Sequence, residues 1–162
     1  AMLPSGATTP LPVRPAVTTP GSAPASAGNP TLVHAAAGTP TPLPHELKGG
    51  LLATFQVGEE QFHVWITNPY SVQIILRVHG GSSTSFVPNG RLRVGPGEGD
   101  HNAPWSWHLD PRDMGMDHFA MEECNAAPSE VERSLSYFLD VVERYCPVGA
   151  KLVHVAYVPP SE

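Results

Sequence analysis

No stretch of this sequence approaches 18 consecutive apolar residues, so no transmembrane helix is expected in it. Basic residues are scarce as well: nine Lys and Arg stand against 15 Asp and Glu, with no basic cluster. A nucleic-acid surface must neutralise several phosphates, so no nucleic-acid partner is expected. Only two cysteines occur, Cys124 and Cys146, and neither sits in a C-x-x-C pair, which removes zinc-finger and thioredoxin-like readings. There is no G-x-S-x-G elbow and no phosphate-binding P-loop. Gly95–Gly99 is glycine-rich, but no helix pattern follows it to cradle a phosphate.

The sharpest absence is local. Residues 1–50 contain no Phe, Tyr or Trp and only three charged residues, Arg14, Glu46 and Lys48. They hold ten of the 19 prolines and seven threonines, while all twelve aromatics lie between Phe55 and Tyr157. Such a segment cannot bury enough apolar surface to offset its chain entropy, so an extended, polyproline-like arm is expected over residues 1–50. It reads either as the stalk of a secreted protein or as an arm that docks on a protein partner or a second copy of the chain. Its contact points would be the apolar patches Leu11–Val13, Thr31–Ala37 and Leu43–Leu47. A Thr/Pro/Ser/Ala tract is typical of exported bacterial proteins, and the Ala1-Met2 start shows no charged-then-apolar leader, as a processed chain would not. The expected location is extracytoplasmic: secreted, cell-surface or periplasmic.

Residues 51–162 read as one α+β domain. Leu51–Val57 and Gln61–Thr67 are strands about a Gly58–Glu60 turn, with Phe62, Val64 and Ile66 on one face and His63, Trp65 and Thr67 on the other. Asn68-Pro69 supplies an N-cap and a first-turn proline. Val72, Ile75, Leu76 and His79 follow at helical spacing before Gly80-Gly81. Ser82–Asn89 reads as a loop, Gly90–Val94 as a strand, Trp105–Asp110 as another, and Asp110–Met116 as a turn. Asp117–Cys124 is expected as a strand beside Trp105–Asp110. A last helix opens on a Ser129/Glu132 capping box, with Val131, Leu135, Phe138, Leu139, Val142 and Cys146 in one stripe. Lys151–Val158 closes the chain as a strand. After the extra first strand the order is β-α-β-β-α-β, which predicts a ferredoxin-like sandwich with both helices on one face of an antiparallel sheet.

The predicted core gathers around Trp105 and Trp107, which share a strand face, with Phe119 beside them and Leu135 and Phe138 above. His108 should point the other way. Two cysteines in an exported chain usually pair, and the alternative is two buried thiols. A helix of about 17 residues is ~25 Å long, so the spacing alone does not make Cys124 and Cys146 neighbours.

Eight histidines invite a metal reading. The best constellation is His108 and Asp110, two apart on one strand face, opposite Glu122, with His118 nearby. These residue types could ligate a metal ion or share acid–base work. The bland reading of the same row is a solvated strand face. Glu98, Asp100, Asp113 and Asp117 lack the ligand rhythm of a calcium loop.

Four stretches carry a family resemblance: Thr67-Asn68-Pro69; Asn102-Ala103-Pro104-Trp105-Ser106-Trp107-His108-Leu109-Asp110-Pro111; Glu122-Glu123-Cys124-Asn125; and Cys146-Pro147. Over roughly residues 53–155 the chain resembles the small bacterial domain family named after the N-terminal domain of a slime-mould BP protein, loosely labelled calmodulin-like. The resemblance implies a small α+β domain with both cysteines in matching places, hence a Cys124–Cys146 disulfide. It implies no activity, and no EF-hand loop is present to support the label. The Gly/Ser-rich stretch after the first helix departs from the pattern.

With no strong catalytic motif, the expected function is that of an exported, non-catalytic binding or assembly protein whose arm engages a protein partner, with no cofactor. A small secreted metal-dependent enzyme using His108, Asp110, Glu122 and His118 is the first alternative. A protease-inhibitor-like module, on fold analogy alone, is the second.

Overall fold

Leu51–Val57 (β1) carries apolar residues toward both of its faces and becomes a central strand, paired antiparallel with Glu60–Ile66 (β2) on one side and Lys151–Tyr157 (β7) on the other. The computed structural model of the chain describes residues 43–81 and 85–161. The extended arm and its patches Leu11–Val13 and Thr31–Ala37 lie outside those residues. Pro40–Glu162 forms one compact unit. The arm reading does not extend to residue 50: Leu47 is buried, and the Gly49 N–H donates to the Pro159 carbonyl at 2.8 Å.

β2 alternates as expected, burying Phe62, Val64 and Ile66. Asn68 caps the following helix, Pro69–His79 (α1), its Oδ1 accepting from the Tyr70 and Ser71 N–H groups. The buried face of α1 is Ser71, Ile74 and Ile75, so it is rotated from the expected stripe: Leu76 is 49% exposed and His79 exposed.

The second sheet departs further from expectation. Its spine is Val87–Val94 (β3), three residues longer than Gly90–Val94, because Val87–Asn89 pairs with Gly115–Asp117 (β5). The turn-like letters Val-Pro-Asn-Gly conceal this extension. β3 then pairs with Arg144–Tyr145 (β6) at Gly90 and Arg91, and with Trp107–Leu109 (β4) at Leu92–Val94. Every ladder in both sheets is antiparallel. A ferredoxin-like sandwich holds its four strands in one sheet, whereas here the strands divide between a sheet of order β2-β1-β7 and a second built on β3, so the arrangement is α+β with two sheets.

Asp117–Cys124 is not a strand beside β4. After Asp117 the chain leaves β3 and winds into a 3₁₀ turn at Glu122–Cys124. Phe119 is 79% exposed and Met121 53%, which removes Phe119 from the core. The last helix is broken into Pro128–Arg133 (α2), Leu135–Tyr137 (α3) and a π-helical turn at Phe138–Val142, with Ser134 at φ −117° between the first two. Its N-terminus is capped earlier than expected: the Glu130 carboxylate accepts from the Ala127 N–H at 2.8 Å. Glu143 takes the left-handed conformation, φ 62°, and ends it. Cys146 therefore lies beyond the helix rather than on its stripe. The ~22 Å of helix between Pro128 and Val142 is short enough for the two flanking linkers to bring the cysteines together. Cys124 and Cys146 form a disulfide with their Cα atoms 5.1 Å apart.

The core between the sheets is aromatic. Phe62 stacks on Phe55 at 5.5 Å and meets Tyr145 edge-on at 5.3 Å; Trp107 meets Tyr145 edge-on at 5.1 Å. Trp107 is fully buried among Leu92, Leu109, Val131 and Phe138, as the strand-face argument requires. Trp105 and Leu135 are half-buried and pack against this cluster from outside. Tyr145, Met114 and Met116 are core residues that no local periodicity singles out.

Replacing Trp107 with Ala should cost about 3–5 kcal/mol in chemical denaturation, while Phe119→Ala should stay within about 0.5 kcal/mol. Equal effects would place the core elsewhere. Removing both cysteines by Ala substitution should cost about 2–4 kcal/mol by the same measurement, as expected for a loop of this size.

Candidate functional site

The loop from Gly95 to Trp105 lies against the edge of β2 that β1 leaves unpaired. An edge strand presents free N–H and C=O groups that invite another chain, and here side chains take them up. The Asn102 amide is fully buried: its Oδ1 accepts from the His63 N–H at 2.7 Å, and its Nδ2 donates to the Trp107 carbonyl at 2.7 Å. One residue thus links β2 of the first sheet to β4 of the second. The Trp105 Nε1 donates to the Gln61 carbonyl at 2.8 Å, and Trp65 on the same strand donates to the Gly49 carbonyl at 2.9 Å.

Beside Asn102, three imidazoles gather. The His101 ring sits 5.7 Å from that of His108 and 6.3 Å from the Trp65 indole. Its backbone carbonyl partner is Glu98, at 3.0 Å from Nδ1; His108 Nδ1 meets the Gly95 carbonyl at 2.7 Å, and His63 Nδ1 meets Thr54 Oγ1 at 3.0 Å. Burial lowers the pKa of both His63 and His101 from the usual 6.5; His154 adds to the effect at His63, while His108 and His63 add to it at His101.

The four residues singled out as a metal set do not converge. His108 faces the Gly95 carbonyl, not a carboxylate. Asp110 accepts from Arg93 Nη2 at 2.7 Å and from the Arg112 N–H at 3.1 Å. Partial burial raises the Asp110 carboxyl, but Arg93 and the neighbouring N–H groups outweigh it and hold the group below its ordinary value. Glu122 lies in the 3₁₀ turn, and His118 stacks on Phe86 at 4.5 Å. Among the described residues no three His, Cys, Asp or Glu side chains could hold a metal ion together. The reason is the failed strand: without Asp117–Cys124 paired to β4, nothing carries Glu122 to His108. Two of the acidic loop residues are likewise engaged, Asp113 by the Arg91 N–H and Arg144, Asp117 by Asn89.

Concavities open on the surface of the described residues. One, of about 440 Å³, is polar and lined by Lys48, Trp65, Glu98, Asp110 and Arg112. Another, of about 490 Å³, is an apolar groove between α1 and the β1–β7 edge, lined by Leu51, Pro69, Val72, Leu76, Val155 and Tyr157. Val72, Leu76 and His79, which share core spacing in the sequence, face this groove. The periodicity is real, but among the described residues Leu76 and His79 are left exposed, and only Val72 also packs on the core.

Asn102→Ala should cost about 2–5 kcal/mol, because it strands a buried donor on β2 and an acceptor on β4. Asn102→Asp should cost at least as much, since it keeps the acceptor but sets a carboxylate against the Trp107 carbonyl. A neutral result for either variant in chemical denaturation would remove Asn102 as a link between the sheets.

No curated protein and no solved structure matches the chain. The family model described as the BP-74 N-terminal domain matches residues 51–159, the whole of the two-sheet domain including the Asn102 loop and both cysteines. The chain belongs to the BP-74 N-terminal domain family.

Proposed function

We propose that this protein is an exported, non-catalytic interaction module, an accessory or assembly subunit of an extracytoplasmic complex. The observation that carries this reading is the second apolar face of α1. An amphipathic helix normally turns one stripe to the core and charge outward. Here Ile74 and Ile75 enter the core, while Leu76 and Val72 line an open groove that Tyr157, 67% exposed, extends. Apolar side chains held in a concave surface suit an extended apolar segment of a protein partner. The Pro/Thr-rich composition of residues 1–42 supports their use as a separate contact element on a partner surface. The disulfide fits an oxidising compartment.

Two measurements test it. In material purified from the secreting cell, Leu76→Asp should reduce co-purifying partner or self-association at least tenfold, with thermal stability nearly unchanged because Leu76 is half-exposed. Limited proteolysis should cleave residues 1–42 at least tenfold more slowly in the native assembly than in isolated chain. Unchanged association in the Leu76→Asp variant, together with equal cleavage, sinks the reading.

A further inference from the structure

Of the two buried side chains in the Gly95–Trp105 loop, His101 and Asn102, one is ionisable. His101 is only 4% exposed. The Glu98 carbonyl can only accept, so the bond at 3.0 Å places the proton of the neutral ring on Nδ1. Nε2 then carries a lone pair, and that atom is buried without a hydrogen-bond partner among the described residues. The ring packs against Gly97, where any Cβ would overlap the imidazole.

We propose that the Gly95–Trp105 loop is an acid-released clasp on the edge of β2, with His101 as its sensor. Protonation would put an N–H on Nε2 where no acceptor faces it and a positive charge where water does not reach. A buried charge without a partner is among the most costly states a side chain can adopt. The surroundings make it worse. His108 on β4 and His63 on β2 face the ring and add to the effect of burial, which outweighs the Glu98 carbonyl bond that favours the charged ring, and His154 on β7 stands behind His63. The carboxylates around the loop, Glu98, Asp100 and Glu46, are exposed and do not offset them. Trp65 closes the remaining side with an indole edge.

The adjacent residue transmits the effect. Asn102 follows His101 directly, so lifting His101 into water pulls the amide from the His63 N–H and the Trp107 carbonyl. Trp105, at the end of the same loop, would release the Gln61 carbonyl. What opens is the edge of β2, a row of backbone groups able to pair with an extended strand.

Linkage fixes the direction. The closed loop holds the His101 pKa below 6.5, and an open loop restores it to about 6.5. Opening is therefore independent of pH above about 6.5. It rises up to tenfold per pH unit below that value until the closed-state pKa is passed.

Hydrogen exchange of the full chain between pH 7.5 and 4.5, corrected for intrinsic exchange, tests this at the His63 amide. Its opening constant should climb by up to tenfold per unit below pH 6.5, while the amides of the central strand β1 stay level. His101→Gln should flatten the profile, and His79→Gln, altering an exposed histidine at the end of α1, should leave it as in the parent chain. A flat His63 profile in the parent chain overturns the proposal, as does a His101→Gln profile equally steep. The His101 imidazole, followed by NMR in the parent chain, gives a reading that survives if His101→Gln does not fold. A folded pKa below 6.5 is expected, and one at or above 6.5 overturns the clasp.

Discussion

Two sheets that share no ladder must be held by something other than backbone pairing, and in this domain the Asn102 side chain supplies that bond. Its amide is the right size to accept from one strand edge and donate to another, and it is fully buried, so neither bond competes with water. The position of the rest follows. With β2 tied to β4, Phe62 and Trp107 come within 6.0 Å of each other, and Tyr145 closes on both. The aromatic cluster fills the space between the sheets, and the amide ties the two strands on either side of it.

The same link explains why the loop carries such particular residues. Asn102 needs a partner residue to finish covering the edge, and Trp105 provides it by donating to Gln61 while laying its ring on Trp107 at 6.2 Å. A polar side chain and an indole N–H thus take the place of a missing neighbouring strand. This protects one edge of the first sheet. The other edge, β7, ends the sheet order β2-β1-β7 with Val153 and Tyr157 exposed.

Much of this is legible in the letters, and the failures have physical causes. The β1–β2 hairpin, the Asn68 cap, the burial of Trp107 and the closing strand follow from local periodicity and turn chemistry, which the tertiary structure does not override. Asp117–Cys124 fails as a strand because alternation of Phe119, Met121 and their neighbours is only a pattern, and no place remains on β3 for it to join. Cys146 reads as helical because Glu143, a residue with no preference for the left-handed region, makes the turn that glycine or asparagine usually announces. The metal set falls with the strand that was to assemble it. Asn102 is visible as part of a motif but not as a link, because its two partners stand 39 and 5 residues away and nothing local points to either. The groove shows only as a helical stripe, and a stripe does not say whether it meets a core or an opening.

The disulfide has a consequence for how the chain can come apart. Cys124 and Cys146 are 22 positions apart, and everything between them, α2, α3, the π-helical turn and β6, lies inside the covalent ring they close. The helical layer is in effect a handle soldered at both ends to the same spot. It can fray, or be cut once by a protease, without separating β5 from β7 in the chain. A single cut there adds only one water to the mass and releases no fragment until a reductant opens the ring. In an environment rich in proteases and poor in thiols, such a molecule would keep its two halves joined long after its backbone was no longer continuous.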